Sequence, residues 1–427
     1  DFVRSALFSL TIAGRSRLIR ETADLMLARS KTILALATAA IALSSGVAFA
    51  QEGPVRLGFI GGITGPIESL MPPITDAARL AVSQVNENGG IGENRQVEMV
   101  IGDDGCIDAQ RASNAADAQV NSDNVVGIVG AMCSGATIAA ANAAAIPGGV
   151  VMVSPASTSP AVTALEDNDL VFRTAPSDAY QGEVLARVVR SHDIDTVAVT
   201  YVNNDYGTGF AQAFQAAFEA EGGTVVTSES HEDGRADYRA EIGSLASSGA
   251  DALVVLAYVD GSGGRIIQQS RETGDFSTFI GGDGMVGANL TNVTGGDETL
   301  ILTRPGGTEA AGAANFAEAA AAANLDPEAT YAATSYDAAF ALLLAVEKTG
   351  GSREGLNEAL REVTSAPGEV ILPGEWAKAK ELIAAGTDIN YEGASGAIDF
   401  DDNGDVPGSY DEVTVENGEI VVVGPAQ

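Results

Sequence analysis

Histidine and cysteine each occur only twice in these 427 residues and tryptophan once, and 23 Lys+Arg face 58 Asp+Glu, a formal net charge of −35. Each shortage excludes something. Two His and two Cys cannot furnish a His/Cys-rich zinc centre. So few cations argue against nucleic acid as a partner, because neutralising phosphates takes clustered Lys and Arg. The chain has no G-x-S-x-G, no G-x4-G-K-[ST], no H-E-x-x-H and no C-x-x-C. The common hydrolase, nucleotide, metalloprotease and redox signatures are therefore missing. No catalytic residue, metal or cofactor is expected, and the reading is a protein that is not an enzyme.

What is present is globular material. Apolar residues make up 45% of the chain, and polar segments are short and interleaved with Val, Ile, Leu and Ala. That pattern can bury a core, and the length suggests two or three domains. Near the start, Met26, Arg29 and Lys31 precede an apolar run over 32–43, then Ala48-Phe49-Ala50. A basic start, an apolar stretch and a small-x-small site are the plan of a secretory signal peptide. Residues 26–50 are read as that signal, with cleavage after Ala50 and export. The run falls short of the ~20 residues that span a bilayer, so no stable membrane insertion is expected after cleavage. Residues 1–25 read as a misassigned upstream extension.

Export gives the cysteines a meaning. An even pair in an oxidising compartment, Cys106 and Cys133, is expected to form a disulfide. A reactive thiol, the alternative, would want a nearby base, and His192 and His231 lie far off in sequence.

Periodicity organises the rest. A buried strand is expected over 55–60, followed by a helix with Ile74, Ala77, Ala78, Ala81 and Val85 on one face, stopped by Asn88-Gly89-Gly90. Strands over 96–101, 125–129 and 149–153 alternate with a helix capped by Asp108 and another over 135–145. The alternation resumes with helices over 179–191, 208–221, 237–248 and 263–273, and strands over 196–202, 224–227, 252–257 and 278–280. Helices are expected over 310–323, 331–348 and 375–385, then a terminal strand pair over 396–400 and 412–423. Such alternation implies an α/β protein with parallel sheets covered on both faces, in two doubly wound halves. The junctions fall near Arg173-Thr174-Ala175-Pro176 and Thr303-Arg304-Pro305.

Two motifs invite chemistry and are read otherwise. Gly282-Asp283-Gly284-Met285-Val286-Gly287 satisfies G-x-G-x-x-G, but polar residues fill the helix that should follow, so no dinucleotide site is expected. The 399–405 segment opens like a calcium loop, yet Tyr410 stands where a bidentate Glu belongs, and a turn at Asn403-Gly404 is the better reading.

In open α/β sheets ligands sit beyond the carboxyl ends of the strands. The segments there are 61–66, 131–135, 155–160, 203–209, 258–264 and 281–287. Ser134-Gly135 opens a helix whose free N–H groups favour a carboxylate. Ser157, Thr158 and Ser159 add hydroxyls, and Asp283 is an acid in a Gly-rich loop.

The chain from Pro54 onward resembles the periplasmic leucine/isoleucine/valine-binding proteins of ABC importers. The likeness runs through 61–66, Asn88-Gly89-Gly90-Ile91, Asp103-Asp104-Gly105-Cys106, Met132-Cys133-Ser134, 154–160, Arg173-Thr174, Asp205-Tyr206-Gly207 and 281–285, in order. Pro373-Gly374-Glu375-Trp376 and 391–396 resemble a common subgroup. The resemblance implies a type I periplasmic binding protein fold, two doubly wound Rossmann-like lobes joined by a three-stranded hinge. Residues 54–175 plus 305–411 would form the N-terminal lobe, and 176–304 plus 412–427 the C-terminal lobe. It implies an amino acid ligand, hydrophobic or branched, held in the interlobe cleft and delivered to a membrane permease from the periplasm. By motif position Ser134, Ala156 and Thr158 would hold the ligand's carboxylate and part of its ammonium, Asp283 would pair with the ammonium, and Tyr206, Tyr258 and Tyr331 would line the pocket. Cys106 and Cys133 match the family disulfide. Two departures concern side-chain specificity: Leu70 stands where an aromatic often sits, and Asp283 replaces a longer Glu. Glu68 is a further candidate for the cleft and, with Asp283, would suit a basic amino acid. The same fold also serves amides or urea, aromatic acids, and regulatory sensor modules.

Overall fold

The structure, a computed structural model, describes residues 53–296, 299–306 and 310–426. The expected signal peptide, its cleavage site and the expected upstream extension lie outside the described residues.

The first half opens with β1 (Val55–Gly61), α1 (Met71–Glu87), β2 (Val97–Asp103), α2 (Ala109–Asp117), β3 (Ile128–Val129), α3 (Ser134–Ala140), β4 (Met152–Ser154) and β5 (Val171–Arg173). All five strands are parallel, in the order β2-β1-β3-β4-β5. Proline in the first turn starts α1, and Gly89 and Gly90, both at positive φ, end it. Asp108 caps α2 as its position predicts, accepting the Arg111 N–H at 3.0 Å.

The second half follows with α4 (Asp178–Ser191), β6 (Thr196–Val202), α5 (Asp205–Ala220), β7 (Thr224–His231), α6 (Arg239–Ala246), β8 (Ala252–Leu256), α7 (Ser262–Thr273), β9 (Thr278–Gly281) and β10 (Thr299–Pro305). The chain then returns to the first sheet with α8 (Ala313–Ala322), α9 (Ala332–Lys348), α10 (Leu356–Thr364), β11 (Glu369–Ile371), α11 (Trp376–Ala384) and β12 (Ile389–Tyr391). It ends on the second sheet with β13 (Tyr410–Glu416) and β14 (Glu419–Ala426), giving the order β14-β13-β10-β9-β8-β6-β7. Helix α9 packs on α1 and on the faces of β3 and β4, which is why its sequence is apolar almost all round. The chain therefore passes between the two sheet-centred lobes three times: after β5, after β10 and before β13.

Several elements differ from expectation, among them α10, β11 and β12, for which no element was expected. β5 has only three residues and β10 ends in Arg304-Pro305, so both hide in segments that read as junctions. The terminal pair is β13 and β14, antiparallel around Asn417-Gly418, both at positive φ; 396–400 is not a strand. Instead Asp401 accepts the N–H groups of Asn403 (2.8 Å) and Asp405 (3.0 Å), closing the expected turn. Asp405 is thereby presented to Arg173, whose Nε and Nη2 meet its two oxygens at 2.6 and 2.7 Å. The fully buried guanidinium also donates from Nη1 to the carbonyls of Ser157 (3.2 Å) and Ser159 (2.9 Å). One bidentate pair thus fastens the third crossover to the loop after β4.

Candidate functional site

The carboxyl ends of β1, β3 and β4 face those of β6, β8 and β9 across a closed cleft. Between them lies a small, nearly filled cavity. One wall is aliphatic: Ile67, Leu70, Ile74 and Met132, with the disulfide at Cys133 and the half-buried Ala156. The other is Tyr206, Tyr258, Asp283 and Gly284, and Tyr331 closes the end beside α9.

The corner at the N-terminus of α3 is built by bracing two loops. The carbonyl of Ala131 accepts hydroxyls from Ser154 (2.5 Å), Thr137 (3.1 Å) and Ser157 (3.2 Å), and Ser157 also meets Thr137 at 2.7 Å. The Ser159 N–H donates to Ser134 Oγ at 3.1 Å. These bonds fix the N-terminus of α3, whose first-turn N–H groups have no acceptor within the helix. The Cys106–Cys133 disulfide, Cα to Cα 5.2 Å, anchors the same corner at its cap residue. Replacing both cysteines by serine is expected to lower stability by about 3–4 kcal/mol and to loosen this corner. Melting curves of the pair variant, with and without reductant, check it.

The opposite end is acidic. Asp283 follows β9 in a 3-10 turn and is 3% exposed. Its Oδ1 accepts the Tyr206 hydroxyl at 3.3 Å, and its Oδ2 accepts the Tyr331 hydroxyl in a short hydrogen bond. Burial raises the Asp283 pKa to about 6, partly offset by these donors. Burial and the Asp283 charge push the Tyr206 and Tyr331 hydroxyls upward, so both stay protonated donors. Tyr331 adopts φ +65°, a left-handed conformation rarely taken outside glycine, and this aims its ring at the acid. Tyr258 stacks on Tyr206 with centroids 5.1 Å apart, and its hydroxyl accepts from Asn204 at 3.2 Å. The glycines of the G-x-G motif serve close approach. A Cβ on Gly284 would fall 2.8 Å from the Ala257 carbonyl and 2.9 Å from the Tyr206 hydroxyl, and one on Gly287 2.5 Å from Leu70.

Direct bonds cross the cleft. Ser69 N–H donates to Asp260 Oδ2 (2.7 Å), Asp260 N–H to the Pro66 carbonyl (3.2 Å), and Ser159 Oγ to the Asp205 carbonyl (2.8 Å). Thr330 Oγ1 reaches the Val286 carbonyl at 2.8 Å.

The structure brings Ser134, Ala156, Tyr206, Tyr258, Asp283, Tyr331 and Leu70 to one cavity. It does not bring three other expected residues there. Glu68 is exposed, because the turns Glu68 N–H to Gly65 O and Leu70 N–H to Ile67 O point residues 67 and 70 inward. Ser157 spends its hydroxyl on the Ala131 brace, and Thr158 lies buried behind the wall, its carbonyl accepting the Asp178 N–H at 2.7 Å. Reasoning from sequence missed Ile67, Ile74 and Met132. Ile74 reads as ordinary core from its helical face, and Met132 reads only as part of the Met132-Cys133-Ser134 motif. A larger pocket lies beyond Tyr331, but of its charged lining residues Asp411 and Glu328 both already attract Arg304.

Comparisons with known proteins agree with this fold. Residues 74–417 match the family described as the receptor family ligand binding region. A Leu/Ile/Val-binding protein homologue of Brucella melitensis is 30% identical over 322 residues, 74% of this chain and 85% of that protein. A leucine-, isoleucine-, valine-, threonine- and alanine-binding protein of Pseudomonas aeruginosa is 30% identical over 315 residues, 73% and 83%. A leucine binding protein of Thermotoga maritima superposes with a TM-score of 0.73 at 26% identity, covering 87% of this chain and 99% of that one. A solute binding protein of R. palustris in complex with benzoate shares the fold, with a TM-score of 0.70 at 18% identity, covering 88% and 96%. Among the described residues no helix is long and apolar enough to cross a membrane. The chain therefore belongs to the receptor ligand-binding-region family and, within it, to the leucine/isoleucine/valine-binding proteins of ABC importers, with the type I periplasmic binding protein fold.

Proposed function

We propose that this protein is exported to the periplasm with cleavage after Ala50, captures an aliphatic amino acid in the interlobe cleft and delivers it to a membrane permease. The lobes are 54–175 plus 305–411 and 176–304 plus 412–427. A zwitterion entering the cleft loses its hydration, so each charge needs its own partners. The N-terminus of α3, with Ser134 and the backbone at Ala156, receives the carboxylate. Asp283 receives the ammonium from the other lobe. Ile67, Leu70, Ile74 and Met132 receive the side chain, and an aliphatic lining suits a branched aliphatic group better than a long polar one. Only a ligand that touches both lobes gains contacts that an open cleft lacks, so binding shifts the population toward the closed form the permease would read.

The observation that carries this reading is Asp283 facing the α3 N-terminus across an aliphatic wall. A basic side chain finds no second acid on that wall, because Glu68 points to solvent. A benzoate-like acid would leave Asp283 buried without a cation.

Titration calorimetry with leucine, isoleucine, valine, lysine, benzoate and 4-methylpentanoate (leucine without its amine) tests this. Tight binding of the branched amino acids, with the amine-free acid at least about 100-fold weaker, is expected. Equal binding of leucine and 4-methylpentanoate, or binding of benzoate alone, would overturn it.

A further inference from the structure

A second carboxyl group stands behind the ammonium end of the cavity. Asp178, the first residue of α4, is fully buried, and neither of its oxygens has a hydrogen-bond partner of good geometry, although the Thr158 hydroxyl is near enough to lower its pKa. One turn along the same helical face, the buried Gln181 donates to the Thr303 carbonyl and hydroxyl at 3.1 Å each. The Gln181 amide lies 3.2 Å from where a Gly282 side chain would begin, near enough to Asp283 to lower its pKa. This inner face of α4 is thus pressed against the Asp283 turn. Through its N–H, Asp178 is tied as well to the carbonyl of Thr158, on the loop that serves the ligand's carboxylate.

The charged and titratable groups that act on Asp178, or feel it, come from every side. They are Asp283 after β9, Arg173 of β5, and the hydroxyls of Tyr206, Tyr258, Tyr331 and Tyr410. Arg173 is already gripped by Asp405. On the strands packed against α4, Arg304 and Asp411 answer each other, and Glu412 meets His192 at the far end of the helix. Two carboxylates in a dry compartment, with no uncommitted cation among the described residues that act on them, do not both ionise. Asp283 receives two tyrosine hydroxyls and Asp178 none, so the charge settles on Asp283.

We propose that Asp178 is a positioning residue that keeps its proton beside the ionised Asp283, so that the site presents one negative charge to the ligand's amine rather than two. The inference rests on the amine-binding reading of Asp283, but its first test needs no ligand. The consequence for selectivity is that a second cationic centre finds no partner at this end.

The test is Asp178→Asn, which mimics the protonated acid. A buried carboxyl that holds its proton costs the fold stability once pH rises above the unfolded value near 4, and asparagine has no such cost. Burial and the Asp283 charge both act in that direction at Asp178. The ligand-free variant is therefore expected to melt above the parent near pH 8, with the gap closing toward pH 4. Its affinity for leucine should stay within about threefold of the parent. A variant that melts below the parent near pH 8, or binds leucine about tenfold or more weakly, would overturn the proposal. If the variant does not fold, carbon-13 NMR of the parent with labelled aspartates decides: one carboxyl should remain protonated near pH 8, and a spectrum with every aspartate ionised refutes the assignment. Should the parent bind no amino acid, the functional reading fails, while the melting and NMR arms still judge Asp178.

Discussion

Asp283→Asn yields a protein that folds, melts higher than the parent without ligand, and no longer captures amino acids. The acid is 3% exposed, and burial has raised its pKa to about 6, so the empty fold carries an unfavourable charge at neutral pH. Asparagine keeps the shape: its one oxygen accepts from one of the two tyrosine hydroxyls that now hold the carboxylate, and its NH2 donates to the other. Removing the charge should add on the order of 1–3 kcal/mol to ligand-free stability at neutral pH. Binding moves the opposite way. An ammonium placed in this cavity without its counter-ion loses about 3–5 kcal/mol, or roughly 150- to 4000-fold in affinity. Asp283→Ala should abolish binding as well, with less gain in stability because a small void replaces the carboxyl. Calorimetry and thermal melts on the same preparations check both arms. Undiminished leucine affinity in either variant would show that the amine is held elsewhere. The contrast with Asp178→Asn, expected to keep its affinity, separates the charged member of the pair from the protonated one.

The sequence made the scaffold readable because most elements bury whole faces. β6 matches its expected bounds of 196–202 and β8 differs by one residue, since both are runs of apolar residues between turn signals. The ends of α1 and α2 follow from proline, glycine and Asp108. Motif order brought Ser134, Ala156, Tyr206, Tyr258, Asp283 and Tyr331 together, and the cavity gathers all six. What escaped depends on direction rather than residue type. Whether Glu68 or Ile67 faces inward is set by the phase of two successive turns after Gly65, which no periodicity records. Ser157 carries the hydroxyl expected of a ligand contact, yet a neighbouring carbonyl claims it. Asp178 drew no notice in sequence, since an acid opening a helix reads as a favourable dipole partner in solvent. Only the three-dimensional packing shows that it is buried opposite another acid.

Affinity for the amino acid is expected to fall about tenfold for each pH unit below 6. The sign follows from Asp283: its ligand-free pKa is about 6, and only its ionised form pairs with an ammonium. Above that value the acid is charged before the ligand arrives, and binding is independent of pH until the ligand's amine titrates. Below it, the ligand must expel a proton, so binding near pH 4 should be about 100-fold weaker than near pH 7. Ligand-free stability cannot mimic this trend, because several groups pull on it in opposite directions. His231, buried between Thr200 and Ser262, has its pKa lowered to about 4 and withdraws stability as pH falls from 6.5 toward 4. Asp104, with its pKa raised by burial to about 6, and Asp283 itself add stability over the same fall in pH. Calorimetry in buffers of different ionisation enthalpy isolates the binding effect: close to one proton should be released on binding near pH 5, and none near pH 8. Melting curves at each pH confirm that the receptor remains folded. Constant affinity from pH 4.5 to 8, with no proton release, would mean that no titrating carboxylate meets the amine, and the pairing of Asp283 with the ligand would fall.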